Sequence, residues 1–258
     1  MLALAFIFLL TALLYASVGF GGGSTYTALL ALSDLDYRVL PIISLLCNII
    51  VVTGGSARFQ LAGLIPWRSI WPILLVSVPA AWLGGRLPID RDIFLMLLGL
   101  SLAGAGILLL IPQGARNRPN ADDGHNLTRP VLSNTVFAAA SGGAIGFLSG
   151  LVGIGGGIFL APLLLLVRWG SSRAIAATAS VFILVNSVSG LMGQWGKSEP
   201  AAVWAAMDDH WPLFVAVLVG GQLGSYLAST ALPEALIRKL TAILVLYVAL
   251  RIFWQYVL

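Results

Sequence analysis

Windows free of Asp, Glu, Lys and Arg divide the chain into long apolar runs separated by short charged gaps. They cover residues 1–33, 39–57, 69–85, 93–115, 130–167, 174–196 and 211–233, followed by 240–258 with only Arg251 inside. A helix that crosses a bilayer takes about 20 residues at ~1.5 Å each. Six windows fit a single crossing. Windows 1–33 and 130–167 do not: at 33 and 38 residues they would extend roughly 50–57 Å against a hydrocarbon core of ~30 Å. Each contains a glycine triplet, Gly21-Gly22-Gly23 in one and Gly155-Gly156-Gly157 in the other. The pattern predicts an all-α integral membrane protein of about eight hydrophobic segments.

The triplets belong to an internal repeat. Gly19-Phe20-Gly21-Gly22-Gly23 matches Gly153-Ile154-Gly155-Gly156-Gly157 at a spacing of 134 residues. Trp71-Pro72 and Gly84 match Trp211-Pro212 and Gly224 at 140, and Leu87-Pro88 matches Leu232-Pro233 at 145. Small loop insertions account for the growing offset. The expected organisation is an N-terminal membrane repeat at 1–112, a polar linker at 113–130 and a C-terminal membrane repeat at 131–258. The first segment of each four-segment repeat is broken at its triplet.

Three glycines in a row cost about 1 kcal/mol each in a helix relative to alanine. They also leave no side chain between backbone and ligand. A break at membrane depth exposes the N-terminus of the following helix, expected at Ser24-Thr25 and at Ile158, with free N–H groups and a partial positive charge. Broken helices at matching positions of two repeats point to a transporter's substrate site. The candidate substrate-binding residues are Gly21, Gly22, Gly23, Ser24, Thr25, Asn48, Gly155, Gly156, Gly157, Ser180 and Asn186. The competing account of the glycines is close helix packing, and that of Asn48 and Asn186 is an interhelical hydrogen bond. Ser77 and Gln222 read as structural, and Cys47 as a small packing residue.

No acidic or basic residue lies near the centre of a span, so helix dipoles and neutral donors must carry anion binding. His125 and His210 both fall in polar segments. No metal site, cofactor or enzymatic nucleophile–base set is expected. A dinucleotide fingerprint is excluded because Ser24 and Ile158 stand where its third glycine belongs.

The doubled G-x-G-G-G motif, with Pro162 five residues past the second triplet, resembles the sulfite exporter TauE/SafE family of membrane permeases. The resemblance covers nearly the whole chain, including the four-plus-four plan and the polar linker. It implies a secondary transporter of a small anion, sulfite or an organosulfonate, in a bacterial inner membrane. One departure is Ala28, which stands where Pro162 stands in the second half.

Composition fits a bilayer. Hydrophobic residues make up 59% of the 258 and charged ones 9%, against about 25% charged in a soluble domain. The net charge of +4 is strung along the gaps with no basic patch, so nucleic acid is not an expected partner. The partners are lipid, a small anionic substrate and, as an open question, a coupling ion. Oligomeric state, direction of transport and the individual anion are not legible. The N-terminal run lacks the charged start of a cleaved signal and reads as a retained first span. Trp67, Trp71, Trp169, Trp195, Trp204, Trp211 and Trp254 match an interfacial belt.

Loop Lys and Arg divide seven to seven if each long window crosses once. If each window turns back at its glycines, one face holds Arg38, Arg86, Arg91, Lys197 and Arg251 and the other holds nine, with the linker. That bias favours inverted repeats with the linker cytoplasmic. A channel, an intramembrane enzyme and a non-transporting subunit are the rival readings.

Overall fold

A computed structural model describes residues 1–17, 19–33, 35–110, 135–167, 169–197, 199–227 and 234–256. The linker at 113–130, Asp34, Arg168 and the Leu232-Pro233 match lie outside them. The described residues form helices α1 (Leu2–Ser17), α2 (Gly23–Ala31), α3 (Leu40–Leu61), α4 (Trp67–Arg86), α5 (Arg91–Leu110), α6 (Thr135–Val152), α7 (Gly157–Leu166), α8 (Ser172–Trp195), α9 (Pro200–Asp209), α10 (Trp211–Tyr226) and α11 (Glu234–Tyr256), with no strand among them. Three stretches, Leu40–Leu61, Arg91–Leu110 and Arg173–Trp195, are long and apolar enough to cross a membrane, and Leu2–Ser17, Phe137–Val152, Trp211–Tyr226 and Val245–Trp254 are shorter apolar helices. The described residues are thus all-helical in their regular structure, with several apolar helices of membrane character.

Helix α9 occupies a stretch that reads as a charged gap. Pro200 fits its first turn, where no backbone donor is needed. Ala-rich sequence follows, and Trp204 packs edge-on against Trp195 with ring centres 5.5 Å apart.

Glycine decides how α1 and α6 end. Gly19 sits at φ 84°. Its N–H donates to Ala16 O (3.2 Å) and that of Phe20 to Tyr15 O (2.9 Å), the double closure of a Schellman turn. Gly153, at φ 81°, closes α6 by donating to Ser149 O (2.9 Å). The next helices restart from a second left-handed glycine. Gly22 (φ 83°) offers its carbonyl to the N–H of Thr25 and Tyr26 at 2.9 and 3.0 Å. Gly156 (φ 76°) does the same for Phe159 and Leu160 at 3.2 and 3.1 Å. Both helices begin one residue earlier than the sequence suggests, at Gly23 and Gly157, because the left-handed residue itself supplies the first acceptor.

Helix directions follow from which residues touch. Leu9 and Leu13 of α1 meet Gly220 and Gly224 of α10 in the same order, so these helices run parallel. Ile73, Ser77 and Ala81 of α4 meet Gly142, Gly146 and Gly150 of α6, again parallel. Val51 and Arg58 of α3 meet Gly221 and Ser225 of α10, and Ser77 and Val78 of α4 meet Asn186 and Ser189 of α8. By contrast α3 and α8 run antiparallel, with Leu45 beside Gly190 and Ser56 beside Ser180. Helices α5 and α11 are also antiparallel, pairing Gly99 with Ile252 and Gly106 with Val245. One direction is therefore shared by α1, α3 and α10, and the opposite one by α4, α6 and α8.

The α4–α6 crossing depends on missing side chains. A Cβ at Gly150 would run into the Ala81 carbonyl oxygen, and one at Gly146 into that of Ser77. Gly150→Leu is expected to lose most monodisperse protein on size exclusion, since overpacking of a tight contact costs about 1–3 kcal/mol or more.

At the far end of α8, Lys197 donates from Nζ to Leu87 O (3.3 Å), and burial lowers its pKa from 10.5 to about 8. A lowered lysine pKa means the folded protein holds fewer protons than the unfolded chain between those values. Stability should rise as the pH climbs from about 8 towards 10.5. Melting curves of wild type and Lys197→Met across that window check this, the variant losing the rise.

Candidate functional site

The two stretches between helices pass each other beside the middle of α3. Gly19 abuts the Phe59 ring, near the C-terminal end of α3, and Gly21 and Gly23 abut Asn48. Residues 19–23 thus travel back along about half the length of α3, some ~16 Å. Gly153 abuts Pro41 at the other end of α3, and Gly155 again reaches Asn48. The second stretch climbs where the first descends.

They touch where they cross. A Cβ on Gly23 would collide with the backbone oxygen of Ile154 and with the Asn48 amide. Gly21 would put one 2.7 Å from Asn48 Oδ1, and Gly155 one 2.5 Å from Asn48 Nδ2. Only glycine leaves room for the fully buried Asn48 side chain, whose Nδ2 donates to Ile154 O at 3.2 Å. That bond links α3 to a stretch more than a hundred residues away in the chain.

Two hydroxyls reinforce the junction. Thr27 Oγ1 and Ser44 Oγ stand 2.7 Å apart. Between them they serve the carbonyl oxygens of Gly23 (2.8 Å from Thr27, 3.2 Å from Ser44) and Gly153 (3.2 Å from Thr27). Because Gly23 faces Asn48 while Thr27 faces Ser44, α2 runs antiparallel to α3, and so against α1. Thr25 Oγ1 pairs with Tyr15 OH at 2.9 Å, and Ser24 is buried beside it.

Helices α2 and α7 both have their N-termini at this level, with Gly157 packed against Ile183 of α8. The site therefore joins two helix N-termini, the Asn48 amide and several hydroxyls. Four fully buried polar atoms around it have no hydrogen-bond partner: the Tyr26 hydroxyl beside Gly22, Asn48 Oδ1, Ser149 Oγ and Ser187 Oγ.

Of the candidate residues, the triplets, Ser24, Thr25 and Asn48 come together. Two others do not join them. Ser180 pairs with Ser56 at 2.8 Å, two helical turns beyond Asn48 on α3, or ~12 Å. Asn186 turns towards α4, donating to Ser77 Oγ (3.1 Å) and to Phe182 O (2.8 Å). Cys47 is buried in the apolar core.

Against this geometry, sequence comparison is decisive. The profile of the family described as Sulfite exporter TauE/SafE matches residues 4–252, a span that includes both glycine stretches and every helix at this junction. The chain belongs to that family. Curated relatives of this TauE/SafE family member include the "Probable membrane transporter protein y4hK" of Sinorhizobium fredii, 33% identical over 256 residues and covering 98% of both chains. A "Probable membrane transporter protein" of Xylella fastidiosa is 27% identical over 245 residues, 91% of this chain and 88% of the relative. No solved structure matches.

Several residues at this junction of the TauE/SafE protein escape a reading of its sequence. Thr27 lies four residues after Gly23 and Ser44 four before Asn48, so each shares a helix face with a recognised residue; that spacing was the available signal. Ser149 and Ser187 carried no comparable mark.

Proposed function

We propose that this TauE/SafE protein is a secondary transporter that moves a small anion, sulfite or an organosulfonate, across a bacterial plasma membrane. The substrate binds where the two glycine stretches cross. The observation that carries this reading is the meeting of both stretches on Asn48, with the N-termini of α2 and α7 at the same depth. Each terminus carries a partial positive charge worth about 0.3–1 kcal/mol to an anion, up to ~2 when buried. Two such ends facing one another repel unless negative charge lies between them. The absence of acidic or basic residues from the crossing leaves a modest, multi-donor site, which suits release as well as binding.

The chain is further inferred to be two inverted repeats, 1–112 and 131–258, joined by the linker at 113–130. Equivalent helices α3 and α8 run antiparallel, as do α5 and α11, which supports inversion. Contacts repeat at the spacings of the sequence motifs. Gly84 leans on the Phe147 carbonyl and Gly224 on that of Leu13, two contacts related by 140 and 134 residues. Return of the chain at Gly19 and Gly153 explains why the first segment of each repeat is too long for one crossing. Alternating access would come from one half rocking on the other about this junction.

The test is counterflow in proteoliposomes with sulfite, methanesulfonate, sulfate and acetate. Saturable, trans-stimulated uptake of at least one anion is expected, and Gly156→Leu should reduce it at least about tenfold, since Gly156 has φ 76° and would place a Cβ 2.8 Å from Phe182. Flux that rises linearly without trans-stimulation would indicate a channel. No movement of any anion by wild type would refute the transport reading.

A further inference from the structure

The two glycine stretches are not chemically equivalent. Around the first, Tyr15 pairs with Thr25, and Thr27 with Ser44 and two carbonyl oxygens, while one buried hydroxyl, that of Tyr26 beside Gly22, has no partner. Around the second, Ser149 Oγ and Ser187 Oγ are fully buried and unpartnered. Ser149 stands 134 residues from Tyr15, the repeat spacing, yet the counterpart of Thr25 is Phe159, which offers no hydrogen bond. Ala161 likewise occupies the place of Thr27. An unpaired hydroxyl in a dry interior is costly and demands an account.

Both free hydroxyls border the start of α7. A Cβ at Gly155 would lie 3.1 Å from Ser187 Oγ, and one at Gly156 3.3 Å from Ser149 Cβ. The backbone bonds of α7 begin with the N–H groups of Phe159 and Leu160, so those of Gly157 and Ile158 precede its ladder. Two hydroxyl donors and two leading N–H groups therefore stand at the positive end of one helix. We infer that the anion is received by the second stretch, through Ser149, Ser187 and the N-terminus of α7. This assignment rests on the anion-transport reading and narrows it to one half of the protein.

Two readouts on purified full-length protein test it: sulfite uptake into proteoliposomes, and the rise in melting temperature that sulfite, methanesulfonate or chloride produces in detergent. Ser149→Ala and Ser187→Ala should each raise KM for sulfite about tenfold, the loss of one charge-assisted hydrogen bond. They should also abolish most of the sulfite-induced melting shift, and without anion they should melt no lower than wild type, because each removes an unsatisfied group. Tyr15→Phe, at the first stretch, should lower the melting temperature with a smaller change in KM. Wild-type uptake with KM unchanged in both serine variants would overturn the assignment and leave the transport reading standing. If wild type moves no anion but shows a melting shift that the serine variants lose, transport fails and the binding assignment holds. No melting shift and no uptake would overturn both.

Discussion

Gly23→Leu should reduce anion flux per folded molecule by at least about a hundredfold, equivalent to ~2.7 kcal/mol in the rate-limiting step, whereas Gly104→Leu should stay near wild type. The difference lies in what each new Cβ would meet. At Gly104 nothing stands within 4 Å. At Gly23 the Cβ meets the carbonyl oxygen of Ile154, which belongs to the opposing stretch and cannot swing aside as a flexible side-chain tip would. The crossing must then separate, taking the α2 N-terminus away from α7. Melting temperature and size-exclusion profile identify the fraction that folds, and flux is scaled to that fraction. Full flux from well-folded Gly23→Leu would mean that the close crossing has no part in transport.

Asn48→Leu is the second large effect. Leucine nearly preserves volume but removes the donor to Ile154 O, leaving a carbonyl unpaired in a dry interior at a cost of about 1–3 kcal/mol. It also places an apolar branch where both glycine stretches touch the amide. A fall of several degrees in melting temperature is expected, together with a tenfold to hundredfold loss of uptake, roughly the same energy read twice. A stability loss without a transport loss would make Asn48 a structural clasp only.

The broad architecture was legible because it is written in single-residue chemistry. A chain with so few charges and such long apolar windows has no soluble solution, and the window lengths alone marked the segments containing the triplets as unusual. Family membership followed from motifs that need no partner to be recognised. What was not legible is pairing. Asn48 and Asn186 look alike in sequence, each an asparagine in the middle of an apolar helix. One reaches across to Ile154, while the other settles on Ser77 of α4. Helical spacing says which residues share a face and nothing about which helix lies opposite. Ser180 fell outside the junction for the same reason: its depth is fixed by the antiparallel pairing of α8 with α3, which no local pattern encodes. The unpartnered hydroxyls of Ser149 and Ser187 are invisible until the surroundings that fail to bond them are known.

The central claim is that the chain turns back at each glycine stretch, so that both helix N-termini meet at mid-membrane. Membrane-impermeant thiol labelling of single cysteines in intact cells, on a Cys47→Ala background, tests it directly. Cysteines at Leu2 and Asp36, which flank α1 and α2 and are both exposed, should react from the same face, with the cysteine at Ser171 reacting from the other. Labelling of Leu2 and Asp36 from opposite faces would show that the first stretch crosses the bilayer, and would contradict the account.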